Sequence, residues 1–421
     1  MLRNIGSETH QLWGKLTTSI VSPVTSADRR NAFLSGFLGW TFDAFDFFLL
    51  TFIFVPVAQD LHVSRPQIAL TITASLAMRP LGALLFGLAA DRYGRRLPLM
   101  CTIVFYSVIE VLSGLAPNYT IFLILRLLFG IGMGGEWGVG ASLAMESVPA
   151  KWRGILSGLL QEGYALGFLL AAVVYYTVFP HWGWRPMFFL GGAPALLTLF
   201  IRAKVKESEA WHRSRTDWPA YRRAIFEHRR LFLYLVLLMT VMNFISHGTQ
   251  DLYPTFLQKE MKFDPHTTAM VTIISMIGAL CGGIFFGHVS DRVGRRRAMV
   301  TAVLLAAALI PLWIFPQRFA LLVLGAFLMQ FMVQGAWGVI PAHINELSPD
   351  TLRGFFPGFA YQLGVLCASS VTYFESLLGE HFSYAQSMSI LAITVLLIGA
   401  MVILAGPEAR GIAFGRGPEL K

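Results

Sequence analysis

The sequence predicts an all-α membrane protein whose twelve transmembrane helices form two six-helix, pseudo-symmetric halves. Three observations carry this reading: an apolar composition, twelve apolar segments of helix length, and an internal repeat at an offset of 200 residues. Of the 421 residues 55% are hydrophobic and only 14% are charged, with a mean hydropathy of +0.60. A soluble domain carries about 25% charged residues. The net charge of +9 alone would suggest a nucleic-acid partner, but its distribution argues against one. Of the 33 Lys and Arg residues, 26 fall in the termini and the loops on one side of the spans, and five on the other. The positive-inside rule places the basic side, with both termini, in the cytoplasm. Cys101, Cys281 and Cys367 all lie in apolar segments, so no disulfide framework is implied and they read as core filler. The first thirty residues lack the apolar core of a cleavable signal peptide, so insertion is expected to rely on the first span.

The apolar segments run 32–57, 68–90, 97–116, 119–146, 154–178, 184–202, 231–256, 267–290, 297–315, 319–346, 354–377 and 384–405. Crossing a bilayer takes about 20 residues, so the longer segments are expected to tilt or to project beyond it. The resulting organisation is an N-terminal segment 1–31, a six-helix bundle 32–202, a linker 203–230, a second bundle 231–405 and a tail 406–421. The linker mixes charges, including Lys206-Glu207 and Arg222-Arg223, and reads as an amphipathic or loosely ordered tether.

The repeat is specific. Gly87, Asp91, Arg92, Gly94, Arg95 and Arg96 recur as Gly287, Asp291, Arg292, Gly294, Arg295 and Arg296. Glu146, Pro149, Arg153, Gly154 and Gly158 recur as Glu346, Pro349, Arg353, Gly354 and Gly358, and Asp43 corresponds to Asn243. Two homologous halves in parallel follow, an arrangement that places a site near the midplane between repeats. The duplicated Gly-x3-Asp-Arg-x-Gly-Arg-Arg resembles the signature of the major facilitator superfamily. Its glycines permit tight turns. Asp91 and Asp291 are positioned to meet helix N-termini or arginines across the cytoplasmic seam, as gates of an alternating-access cycle.

Polar residues within the spans are the candidate site. Ionisable groups at membrane depth are costly and usually face a wet cavity. In the seventh span Asn243, Ser246, His247, Gln250 and Asp251 share one helix face. In the first, Asp43 and Asp46 lie at i and i+3 on adjoining positions; two carboxylates there cannot both carry charge cheaply. They read as proton carriers, or as structural partners of an arginine. Arg79, midway along the second span, needs an anion, supplied by Asp43, by Asp46 or by an incoming carboxylate. The fourth span holds Arg126 and then Gly130-Ile-Gly132-Met-Gly134-Gly135-Glu136-Trp137. This formal G-x-G-x-x-G lacks the strand a dinucleotide site requires and reads as a helix-packing face. Glu136 is a further proton candidate, about 15 Å from Arg126 along the helix. Gln161, Glu162 and Tyr164 in the fifth span, Gln330, Gln334 and Trp337 in the tenth, and Tyr361 and Gln362 in the eleventh complete the set. With no HExxH, metal-ligand cluster or nucleophile motif, neither an enzyme nor a cofactor is expected. The two intact gate motifs favour transport over a sensor that does not transport.

Asn243-x-x-Ser246-His247-x-Thr249-Gln250-Asp251-x-x-x-Thr255 resembles the signature of the fungal lactate/pyruvate:proton symporters, in the sialate and monocarboxylate branch of the superfamily. Asp43-Ala-Phe-Asp46-Phe-Phe and Leu160-Gln-Glu-Gly163-Tyr164-Ala-Leu-Gly167 agree with it. The resemblance implies a monomeric proton symporter of a small monocarboxylate. Arg79, Asn243, His247, Tyr361 and Gln362 would meet the substrate, and His247 and Asp251, assisted by Asp43, Asp46 or Glu136, would carry the proton. Sialic acid is the alternative substrate. Glu162 departs from the glutamine expected at its position. The compact chain, without long fungal tails, reads as a bacterial inner-membrane protein.

Overall fold

The computed structural model describes residues 25–214, 218–316, 318–369, 371 and 381–415. Among these, eleven helices are long and apolar enough to cross a membrane. They are Ser26–Asp60, Pro66–Tyr93, Arg96–Gly114, Tyr119–Ser147, Ala150–Trp182, Arg185–Lys204, Arg229–Lys259, His266–Val293, Arg295–Ile314, Phe319–Leu347 and Tyr384–Ala405. The eleventh expected span contributes the shorter apolar helix Phe356–Ala368; its remainder, from 370 on, lies almost wholly outside the described residues.

The helices pair as the repeat requires. The first span packs on the fifth and the second on the fourth; in the other half the seventh packs on the eleventh and the eighth on the tenth. Between the halves the symmetry persists: the fifth span packs on the eighth and tenth, and the eleventh on the second and fourth. Glycines make these approaches possible, since Gly138 and Gly358 meet backbone to backbone across the seam.

The spans are interrupted where polar chemistry concentrates. The seventh is helical over Arg229–Gln250, bends at Asp251 and Leu252, and resumes over Tyr253–Lys259 with Pro254 in its first turn. The fifth breaks at Glu162, between helices Arg153–Gln161 and Gly163–Trp182. Outward faces carry exposed Leu85, Val108, Leu169, Leu199, Leu233 and Met401, an apolar surface fit for lipid. The three cysteines also have exposed side chains, which corrects their reading as core filler. In an apolar span, hydrophobicity alone does not say whether a residue faces lipid or protein.

Of the two readings of the linker, amphipathic or loosely ordered, the structure favours the amphipathic one. It forms helices Glu209–Ser214 and Trp218–Glu227 and buries Trp211 and Tyr221. Lys206 bonds Asp28 of the first span at 2.9 Å.

Candidate functional site

At the midplane, Arg79 Nη2 donates to Asp43 Oδ2 at 3.2 Å, with the two side chains 7% and 0% exposed. Asp43 Oδ1 and Arg79 Nε find no protein partner. Among the described residues the guanidinium therefore makes one bond and keeps spare donors. Its backbone is seated by the glycine face of the fourth span. A Cβ on Gly134 would strike the Arg79 carbonyl oxygen and come within 2.7 Å of Arg79 Cα. Gly134→Ala is expected to cost about 1–3 kcal/mol through overpacking and to displace Arg79. A lowered thermal midpoint of the purified protein, together with reduced uptake, checks this.

Asp46 does not join this pair. It is fully buried with both oxygens unpartnered, and a Cβ on Gly191 would lie 2.9 Å from its Oδ1 and close to Glu110. Positions i and i+3 differ by about 60° around the helix. That suffices to send Asp43 toward the second span and Asp46 toward the third. Arg126 bonds Glu110 at 2.5 Å and Ser113 at 2.6 Å, and its guanidinium sits 4.4 Å from the Phe129 ring. Glu136 is buried with neither oxygen bonded, within electrostatic reach of Asp43 and Arg79. The N-terminal half thus encloses four carboxylates and two guanidiniums in one polar interior.

In the other half, His247 Nδ1 lies 3.1 Å from Asp251 Oδ2, with side chains 43% and 40% exposed. Asn243 is buried, its amide donating to the Met239 carbonyl at 2.7 Å. Ser246, Gln250, Gln330 and Gln334 largely satisfy one another: Gln250 bonds Gln330 at 3.0 Å and Ser246 at 3.2 Å, and Gln334 bonds Ser246 at 3.3 Å. Tyr361 is wedged between the halves, 4.4 Å from Trp137, 6.0 Å from Trp337 and 6.4 Å from Trp40, ring centre to ring centre. Beside it Gln362 is 1% exposed with both amide atoms unpartnered. Tyr361 is within electrostatic reach of Arg79 and Asp43, and Tyr164 within reach of both and of Asp251. Tyr361 and Tyr164 thus gather about the Asp43–Arg79 pair, and Asp46, though it bonds neither, stays within electrostatic reach of Asp43.

The basic face is shut by a two-fold set of contacts. Asp91 accepts from the Gly354 and Phe355 amides at 2.7 and 3.1 Å; Asp291 accepts from Gly154 and Ile155 at 2.8 and 3.1 Å. Each carboxylate caps the start of a helix of the opposite half, with the Phe355 amide shared between Asp91 and the Leu352 carbonyl. Arg95 ties Asp91 to Glu146 at 2.7 and 3.0 Å, and Arg295 ties Asp291 to Glu346 at 2.8 Å each. Arg153 crosses to Glu346 at 2.9 Å and Arg353 to Glu146 at 3.5 Å. Gly94 and Gly294 adopt φ of 101° and 104°, conformations that require glycine, and both turns receive a carboxylate on the following amides. Glu207 of the linker bonds Arg95 N at 2.8 Å, and Glu408 of the tail bonds Arg295 N at 3.0 Å. Phe414 of the tail is sandwiched between Arg153 and Arg353, 3.8 Å from each guanidinium. Gly87 and Gly287 allow the close approach of Phe355 and Gly154, whereas the Arg92 and Arg292 side chains take no part in the described bonds. While this face is closed, His247, Asp251 and Tyr164 remain 43%, 40% and 40% exposed.

Asp91→Asn with Asp291→Asn is expected to shift the balance away from this closed face by about 2 kcal/mol or more, roughly thirtyfold in population. Spin labels at Lys151 and Thr351, on the two halves, would report a longer mean distance; an unchanged distance would show that the capping carboxylates do not hold the gate.

Sequence reasoning missed Glu110, Tyr221, Glu207, Glu408 and Phe414. For Glu110 a signal existed: a lone carboxylate in an apolar span whose repeat position is Ile310. Arg79, Arg126 and Glu136 likewise have alanines, Ala279, Ala326 and Ala336, as repeat partners. This concentration of buried charge in one half is legible once the halves are aligned.

Two pseudo-symmetric helical halves, gated at one face and polar at the midplane, define a membrane transporter. The chain belongs to the Major Facilitator Superfamily, whose family model matches residues 36–264 and 247–416. It is 30% identical over 389 residues to the sialic acid transporter NanX of Escherichia coli (strain K12), covering 91% of this chain and 95% of that protein. It is 27% identical over 420 residues to a carboxylic acid transporter protein homolog of Saccharomyces cerevisiae, covering 90% and 68%. Its fold matches that of the proton:xylose symporter XylE, with a TM-score of 0.75 at 19% identity over 93% of this chain and 98% of XylE. The protein is a multi-pass transporter and not an enzyme.

Proposed function

We propose that this transporter carries a small organic monocarboxylate together with a proton, with lactate and pyruvate as the first substrates to test. The observation that carries the reading is Arg79: a buried guanidinium that among the described residues bonds only Asp43, with its Nε left without a partner. A substrate carboxylate suits that fork. Protonation of Asp43 would release Arg79 to the substrate, so that proton and anion bind as a neutral pair. His247 and Asp251, partly exposed and 3.1 Å apart, would deliver the proton, since histidine exchanges protons near neutral pH. Asn243 would hold the wall of the site, and Gln362 and Tyr361 would meet the rest of the substrate. Glu136 and Asp46 would serve as internal proton acceptors behind Asp43. The units 32–202 and 231–405 would rock about the midplane, the basic face opening to the cytoplasm of a bacterial inner membrane as a monomer.

Relatives named for sialic and carboxylic acids support an organic acid as substrate. They also keep sialic acid as the second reading. Uptake of labelled lactate, challenged with excess unlabelled pyruvate, acetate or sialate, separates the two. Inhibition by pyruvate supports the monocarboxylate; inhibition by sialate alone moves the assignment to the sugar acid.

A further inference from the structure

Around Arg79 and Asp43 several polar atoms await a partner. Tyr164 and Tyr361 both lie within electrostatic reach of the pair, and the hydroxyl of neither takes part in a described hydrogen bond. The Gln362 amide is buried with no partner on either atom. By contrast, the polar groups of the seventh and tenth spans largely bond one another. Unused capacity therefore gathers at one end of the site. It exceeds what a bare carboxylate needs.

Tyr164 is the best placed of these groups. Its ring stacks on Trp40 at 5.6 Å and 26°, and meets Phe48 edge-on at 5.1 Å. The two rings hold the side chain while it stays 40% exposed. Trp40 lies one turn before Asp43 on the same helix, so the stacked Tyr164 ring sits beside the Asp43–Arg79 pair. A phenol both donates and accepts, so it matches a hydroxyl as well as a carbonyl oxygen.

We propose that Tyr164 determines specificity, its hydroxyl receiving the oxygen on carbon 2 of a 2-hydroxy or 2-oxo monocarboxylate whose carboxylate lies on Arg79. Tyr361 flanks the same oxygen, and Gln362 closes the pocket behind it. This rests on the monocarboxylate reading above and narrows it to acids with an oxygen beside the carboxylate. A sealed site built around such a hydrogen bond would reject an analogue lacking it by about 10⁴. Water reaching the 40%-exposed Tyr164 would take the missing oxygen's place, so discrimination of about tenfold is expected.

The test is competition in proteoliposomes: labelled pyruvate uptake is inhibited by lactate and by propionate, which differs from lactate only in lacking the C2 oxygen. The wild type is expected to favour lactate about tenfold. Tyr164→Phe keeps the ring stack, removes one oxygen, and is expected to bring the ratio close to one by weakening lactate. A wild type with no preference, or a Tyr164→Phe variant that keeps it, overturns the assignment. Arg79→Gln separates this failure from failure of the broader reading. If it abolishes uptake of both acids while the tyrosine variant changes nothing, only the role of Tyr164 falls. If no carboxylate is taken up by the wild type, both fall together.

Discussion

His247→Ala is expected to abolish uphill accumulation of the substrate while leaving a folded, membrane-inserted protein. The side chain is 43% exposed at a helix end, so truncating it opens no core cavity. What it removes is the imidazole facing Asp251 at 3.1 Å. In one-proton, electroneutral symport a gradient of one pH unit is worth about 1.4 kcal/mol and supports roughly tenfold accumulation. Without the imidazole, uptake is expected to level off near equal concentrations inside and out. The internal-to-external ratio of labelled substrate in proteoliposomes under that gradient checks this. A variant that still reaches tenfold would take the proton role from His247. Asp251→Asn should reproduce the loss in part, because the histidine remains but its anionic partner is gone.

Arg79→Gln is expected to have the other large effect. Truncating one partner of a buried, hydrogen-bonded charge pair costs about 3 kcal/mol, equivalent to roughly a 150-fold loss of affinity. Part of any such loss reflects Asp43, which would be left buried and unpaired. The double variant Arg79→Gln with Asp43→Asn removes that liability. It should recover thermal stability without recovering uptake. If the double variant transports normally, Arg79 is a structural partner of Asp43 and the carboxylate binds elsewhere.

Comparison of sequence with structure separates two kinds of information. Spans and gates were legible because each depends on local pattern. Apolar length fixes the helices, and a carboxylate that caps a helix across the seam needs a defined spacing from the turn glycine, so Asp91 and Gly94 recur as Asp291 and Gly294. Of the pairs between spans, Arg79 with Asp43 was among the options its lone charge offered, whereas Arg126 with Glu110 was not. Arg126 finds Glu110 sixteen residues away through the packing of the third span on the fourth, which no periodicity encodes. Asp43 and Asp46 stay within electrostatic reach of each other, as their spacing suggested, but only Asp43 bonds Arg79, while Asp46 lies beside Glu110. For the linker the sequence left an amphipathic and a loosely ordered reading open, and the structure takes the first: Tyr221 bonds Asp91 at 3.0 Å and the Trp211 indole donates to the Asp91 carbonyl at 2.8 Å. Those two aromatic side chains in a polar stretch were the available clue, and their placement ties the linker to the gate.

The most direct test of proton-coupled monocarboxylate transport uses purified protein in liposomes loaded with a pH-sensitive dye, with no gradient imposed. Adding pyruvate outside is predicted to acidify the interior by one proton for each pyruvate taken up, beyond the rate in liposomes without protein. Pyruvate uptake with no change in internal pH would contradict the coupling, and no uptake at all would contradict the substrate.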